Sequence, residues 1–206
     1  MKSQSWILLF LLVVFALLIP IYFFLPQTDT GSDPWAYVPK NLPHTDHTSL
    51  MQGPFETGSD VTKKCLECHD SAAREVMQTA HWTWESPPVK VEQRPKPVVL
   101  GKKNAINNFC IGIQSNWPAC TACHAGYGWT DASYDFSKEE QVDCLVCHDH
   151  SGQYIKSRGG LPDPETDLLQ AAQSVGEPTR ENCGGCHFKG GGGNAVKHGD
   201  LDGTLY

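Results

Sequence analysis

Residues 120–148 read CTACHAGYGWTDASYDFSKEEQVDCLVCH, and the two ends of this stretch carry the same five-residue pattern. Cys120-Thr-Ala-Cys123-His124 opens it and Cys144-Leu-Val-Cys147-His148 closes it. Working outward, the pattern recurs at Cys65-Leu-Glu-Cys68-His69 and at Cys183-Gly-Gly-Cys186-His187. Eight of the nine cysteines therefore sit in C-x-x-C pairs, each followed at once by histidine. That is the attachment signature of c-type haem. Two thiols at this spacing add to the two vinyl groups of a porphyrin, and the adjacent imidazole then reaches the iron as proximal ligand.

Two other chemistries use cysteine pairs. C-x-x-C also binds zinc, and exported cysteines also pair as disulfides. Neither needs a histidine directly after the second cysteine. With 9 His in 206 residues, four such placements would arise by chance about a few times in a million. The pattern favours four covalently bound haem c groups, with Cys65, Cys68, Cys120, Cys123, Cys144, Cys147, Cys183 and Cys186 as attachment points. His69, His124, His148 and His187 are the proximal iron ligands.

Composition agrees. Outside residues 6–25 the chain is poor in Leu, Ile and Val and holds all but one of its 14 Pro. Such a chain cannot build a large aliphatic core, and its Trp, Tyr and Phe content is too high for simple disorder. Residues 65–187 give each haem about 31 residues, so porphyrin faces and thioether staples replace the missing core. The expected fold is a multihaem cytochrome c of mostly short α-helices and loops with little β structure. Local signals place helices over Ser71–Ala80 and, capped by Ser137 with Glu140, just before Cys144. Thr179 or Pro178 opens another into Cys183. A net charge of −7 excludes a nucleic-acid binder, which needs a basic face.

The N-terminus reads WILLFLLVVFALLIPIYFFL over residues 6–25, without a charge. Twenty helical residues span about 30 Å, the thickness of a bilayer core. Lys2 before it, and Asp29 and Asp33 after it, favour the N-terminus inside and the haem domain outside. A cleaved signal peptide is the other reading. The stretch is longer than a usual signal core and no small-x-small cleavage site follows, which favours an uncleaved anchor. The expected organisation is a membrane anchor over residues 1–26, a tether over 27–43 and a tetrahaem domain over 44–206. The location is the cytoplasmic (inner) membrane with the haems in the periplasm.

Five histidines lie outside the motifs: His44, His47, His81, His150 and His198. Four bis-histidine haems would draw on four of them. The match of supply to demand favours His47, His81 and His198. His150, two residues after His148, would point away from the far side of that haem. Cys110, the ninth cysteine, is either a small buried apolar residue or a reactive thiol beside a haem. Lys197, after four glycines, reads from spacing alone as a surface lysine.

Six segments carry a further resemblance: MQGPFETGSDVTKKCLECH, TAHWTW, LGKKNAINNFCIGI, PACTACHAGYGW, VDCLVCHD and QSVGEPTRENCGGCHFKGGGGNAVKHGDLDGTL. Through them, residues 55–205 resemble the N-terminal half of the octahaem tetrathionate reductase family. Those multihaem cytochromes are related in arrangement to hydroxylamine oxidoreductase and pentahaem nitrite reductase. In that family the active haem carries a distal lysine and belongs to the second motif, here Cys120–His124. The resemblance implies Lys197 as that ligand and places Cys110 near the same haem, so both become catalytic candidates. His81, His198 and the His44/His47 pair match positions that the family uses for histidine, whereas His150 has no counterpart. Family members carry eight haems over about twice this length. A truncated reading frame, a split protein with a second chain and a four-haem derivative all fit that difference.

Two functions follow. The first is electron transfer within all or part of a reductase for tetrathionate, nitrite or hydroxylamine, with a small inorganic sulfur or nitrogen substrate at the lysine-ligated haem. A second chain would supply the remaining haems. The alternative is an electron carrier alone, a quinol dehydrogenase-type tetrahaem cytochrome that passes electrons from the quinol pool to a partner reductase. Against it, 39 residues separate Leu25 from Cys65, whereas such proteins place the first haem close behind the membrane helix.

Overall fold

A computed structural model describes residues 2–24, 44–105 and 112–188. The chain divides into two units, Met1–Pro43 and His44–Tyr206. In the first, helix α1 runs over Lys2–Phe24. Trp6, Phe10, Leu12, Phe15 and Leu17 on it are exposed. Among the residues whose side chains are described, no helical stretch is long and apolar enough to cross a membrane.

The second unit is a set of short helices joined by turns. They are α2 (Gly58–Leu66), α3 (Ala72–Val76), α4 (Ala80–Thr83), α5 (Trp117–Cys120), α6 (Leu145–His148), α7 (Leu168–Gln173) and α8 (Arg180–His187). Extended pairing among the described residues is confined to isolated bridges, Val89 with Val98, Gly126 with Val142 and Lys156 with Pro162. The longer helices start where capping chemistry tells them to. Thr57 and Asp60 form a reciprocal capping box on α2, and Thr179 and Asn182 form another on α8. The expected helix opening at Thr179 is therefore present, with Asn182 in the place of the usual Glu or Gln.

Two local expectations are corrected. Ser137 does not cap a helix with Glu140: its N–H and hydroxyl both turn back to Asp135 Oδ1, at 2.9 and 2.6 Å. A single 3-10 turn, Glu139–Gln141, follows without a side-chain cap. An aspartate two residues upstream competes for the serine more closely than a helix start does. The helix expected over Ser71–Ala80 breaks in two. The amides of Gln78 and Thr79 reach back only three residues, to Glu75 and Val76, and Thr79 is extended at ψ 162° before α4 begins.

The core is small and split. Met51, Val61, Leu145, Ala171 and Ala172 form one buried cluster between α2, α6 and α7. Ala73, Trp82 and Val142 form a second, and Trp84, Ile113 and Trp129 a third. Gly126 lies against Trp82 of the second cluster and Tyr134, which packs on the second and third. A Cβ there would come within 2.6 Å of the Trp82 ring and 2.8 Å of the Tyr134 hydroxyl, so only glycine fits.

Candidate haem-binding site

Helix α2 carries Cys65 into the first motif, and the His69 amide closes the turn on the Cys65 carbonyl at 2.9 Å. The other three motifs also lie on or at the end of short helices: Cys120 ends α5, Cys144 caps α6 and Cys183 lies within α8. One turn of helix brings the second thiol and the histidine round beside the first, which is the local geometry that the five-residue spacing demands. All eight motif cysteines are free of disulfides.

The third motif is the meeting point of the other three. Thr62 of α2 donates its hydroxyl to the Val142 carbonyl at 2.6 Å, and the Cys144 Sγ lies 3.9 Å from Thr62 Oγ1. A hydrogen bond between the Cys65 and Cys144 thiols lowers the first thiol's pKa and raises the second's. The second motif joins through the Asp143 amide on the Ala125 carbonyl (3.1 Å) and the Tyr127 amide on the Gln141 carbonyl (2.9 Å). The fourth joins through Asn182 Nδ2, which donates to the Asp149 carbonyl at 2.8 Å.

The imidazoles fall into distinct environments. His47 and His69 have ring centroids 6.3 Å apart and planes 23° from parallel. His81 and His187 lie 6.1 Å apart with planes at 89°. Metal–nitrogen bonds of about 2.0–2.1 Å, with the imidazole radii added, place two opposed rings on one metal about 6–6.5 Å apart. Both pairs have that spacing, and each joins one motif histidine to one outside the motifs. The His47 Nδ1 donates to the Thr45 carbonyl at 2.7 Å, which leaves Nε2 for a metal. His44 stacks on His47, with ring centroids 4.9 Å apart and planes 27° from parallel.

His148 Nδ1 donates to the Gly176 carbonyl at 2.8 Å, the same arrangement that fixes a ligating ring in one tautomer. His124 is different. It is fully buried among Trp82, Trp84, Trp129, Tyr134 and Phe136, whose rings lie 4.8–5.9 Å away. Its Nε2 donates to the Trp82 carbonyl at 2.8 Å, while its Nδ1 is buried with no partner. An unshared nitrogen lone pair in a dry site is what a metal takes. Burial, aided by the Lys156 charge, lowers the pKa of this ring to about 4, so it is neutral at physiological pH.

These observations fit covalent haem: paired thiols on helical turns, two imidazole pairs at the spacing of two ligands on one metal, and one orphaned imidazole nitrogen. Among the described residues, no three or more His, Cys, Asp or Glu gather into a cage for a bare metal ion. His150 is exposed and donates Nε2 to the Glu177 carbonyl at 2.7 Å. Cys110, Lys197 and His198 lie outside the described residues. No local pattern announces the buried charge pair of Asp143, directly before Cys144, with Lys156. Its only trace in the sequence is an acidic residue beside an attachment cysteine.

No family model matches the chain. One curated relative, an uncharacterised protein of Archaeoglobus fulgidus, is 23% identical over an alignment covering 74% of this chain and 67% of its own. Among solved structures, the chain is similar to an octahaem cytochrome c from Shewanella oneidensis, with 52% identity and a TM-score of 0.68. That match covers 77% of this chain, which spans 35% of the octahaem protein. The likeness supports a multihaem cytochrome fold here, of short helices and loops without named strands among the described residues.

Proposed function

We propose that this chain is a multihaem c-type cytochrome that transfers electrons, with one haem c joined at each of its four Cys-x-x-Cys-His motifs. The observation that carries the reading is the spacing of two imidazole pairs, His47 with His69 and His81 with His187, at 6.3 and 6.1 Å. The octahaem relative supports it. When bound, haem c supplies one-electron exchange between ferric and ferrous iron.

The chain's own residues hold and orient it. The eight thiols form the thioethers. His69, His124, His148 and His187 would hold the iron at the four motifs, with His47 and His81 as the second histidines at the first and fourth. The Thr45 and Gly176 carbonyls fix the tautomers of His47 and His148. The aromatic cage round His124 excludes water and keeps that ring neutral, the form a metal requires.

On this reading the haem domain is exported and tethered at the cytoplasmic membrane by α1. Support comes from 23 helical residues whose only charge is Lys2, and from the exposed apolar side chains along it. The chain then forms all or part of a reductase for tetrathionate or for nitrogen oxyanions and hydroxylamine, with Lys197 as distal ligand at the second motif and Cys110 beside it. A redox partner or the quinol pool supplies electrons, and a second chain with further haems is consistent with the 35% span. The alternative is a carrier only, of the quinol dehydrogenase type, for which one apolar helix ahead of four motifs is the supporting feature.

A redox titration of the exported full chain, followed in the visible spectrum, should resolve four one-electron steps. A chain with no haem absorption change overturns the reading. Lys197→Ala should turn one low-spin haem high-spin, and an unchanged EPR spectrum rejects the lysine assignment. Deleting residues 1–26 behind a cleavable signal should release the haem domain from membranes. A membrane-bound product contradicts the anchor.

A further inference from the structure

Asp143 and Lys156 form an ion pair whose side chains are 0% and 5% exposed. The carboxylate is fully engaged. Lys156 Nζ and the Tyr154 hydroxyl donate to Oδ2, the latter at 2.9 Å, while the Tyr127 hydroxyl and the Val146 amide donate to Oδ1 at 2.9 and 3.0 Å. Lys156 also reaches the Gly126 carbonyl at 3.4 Å. Three hydrogen bonds from neutral donors and one from the ammonium therefore converge on the two carboxylate oxygens.

The position of the pair matters more than its strength. Asp143 immediately precedes Cys144, and Val146, which it grips, lies between the two thiols of the third motif. Tyr127 lies three residues past His124 of the second motif. A buried pair is weak evidence of a stabilising role, because hydrophobic residues of similar volume would hold the same contacts without desolvating two charges. Retaining two charges here therefore calls for a use. Beside an iron that gains and loses a unit of charge, a fixed neighbouring charge in a low-dielectric site shifts the balance between the two oxidation states.

We propose that Lys156 is a positioning residue that neutralises Asp143 at the third attachment site and thereby sets the reduction potential of the haem joined at Cys144 and Cys147. The inference rests on reading that motif as a haem site. Without Lys156, the uncompensated carboxylate stabilises ferric iron and lowers the potential. With both charges removed, the potential returns.

The experiment compares full-length wild type, Lys156→Met and the double variant Lys156→Met/Asp143→Asn, by haem content and by spectroelectrochemical midpoint potentials. In Lys156→Met, one step should become about tenfold harder to reduce, which is 59 mV for one electron. The double variant should lie close to wild type. Lys156→Met with wild-type haem content and unmoved potentials overturns the inference, as does a double variant shifted as far as the single. If Lys156→Met loads no haem, the double variant decides. Recovery of haem with wild-type potentials supports the charge role, and continued failure overturns it in favour of a packing role. Wild type without haem would instead sink the underlying haem reading.

Discussion

The rings of His47 and His69 lie 6.3 Å apart and only 23° from parallel, although 22 positions separate them in the chain. On the proposed reading, the first motif takes its second ligand from the segment before α2, where the Thr45 carbonyl fixes the His47 ring and His44 stacks on it. His47→Ala should convert one low-spin haem to high-spin, visible in the EPR and in the absorption spectrum. His44→Ala, which removes the ring stacked on His47, should leave the spin state unchanged. The reverse pattern would assign the ligand to His44.

The second couple differs in orientation. His81 and His187 stand at 89°. Near-parallel ligand planes give a rhombic low-spin EPR signal, and perpendicular planes give a signal with one large g value. Both types should therefore appear in one spectrum. His81→Ala should remove the large-g signal and spare the rhombic one. Loss of the rhombic signal in that variant would contradict the pairing.

Burial of His124 has a consequence for pH. Its pKa is held at about 4, below the ordinary 6.5. The unfolded chain therefore binds the extra proton first as pH falls, so the contribution to stability is complete above pH 6.5 and is lost between there and pH 4. The shift amounts to about 3 kcal/mol. Iron on the same ring would carry the loss to lower pH without reversing it. Denaturant midpoints measured from pH 7 to pH 5 should fall, and His124→Phe should flatten that slope.

Helix starts offer a cleaner test of the local structure. Thr179→Ala removes one half of a capping box and should cost about 1 kcal/mol, read from the denaturant midpoint. Ser137→Ala should cost much less, since that serine caps no helix and its partner Asp135 is exposed. Equal costs would restore the cap expected at Ser137.

The difference between those two caps illustrates what was legible in the chain. Chemistry confined to five consecutive residues, Cys-x-x-Cys-His, could be read directly, and so could a helix opening at Thr179, because a helical turn closes within four residues. Ser137 misled because Asp135, two residues upstream, offered a nearer partner. The set of distal candidates was visible from the count of histidines, but their assignment was not. His81 meets His187 across more than a hundred residues, and no local pattern encodes which motif a distant ring will oppose. The Asp143–Lys156 pair was invisible for the same reason: a buried charge reveals itself only through what surrounds it.

The central claim is that each of the four motifs carries haem. A pyridine haemochrome assay on the exported, purified full chain, set against its protein concentration, measures this directly. Four c-type haems per chain are expected. A count of two or fewer would contradict the claim.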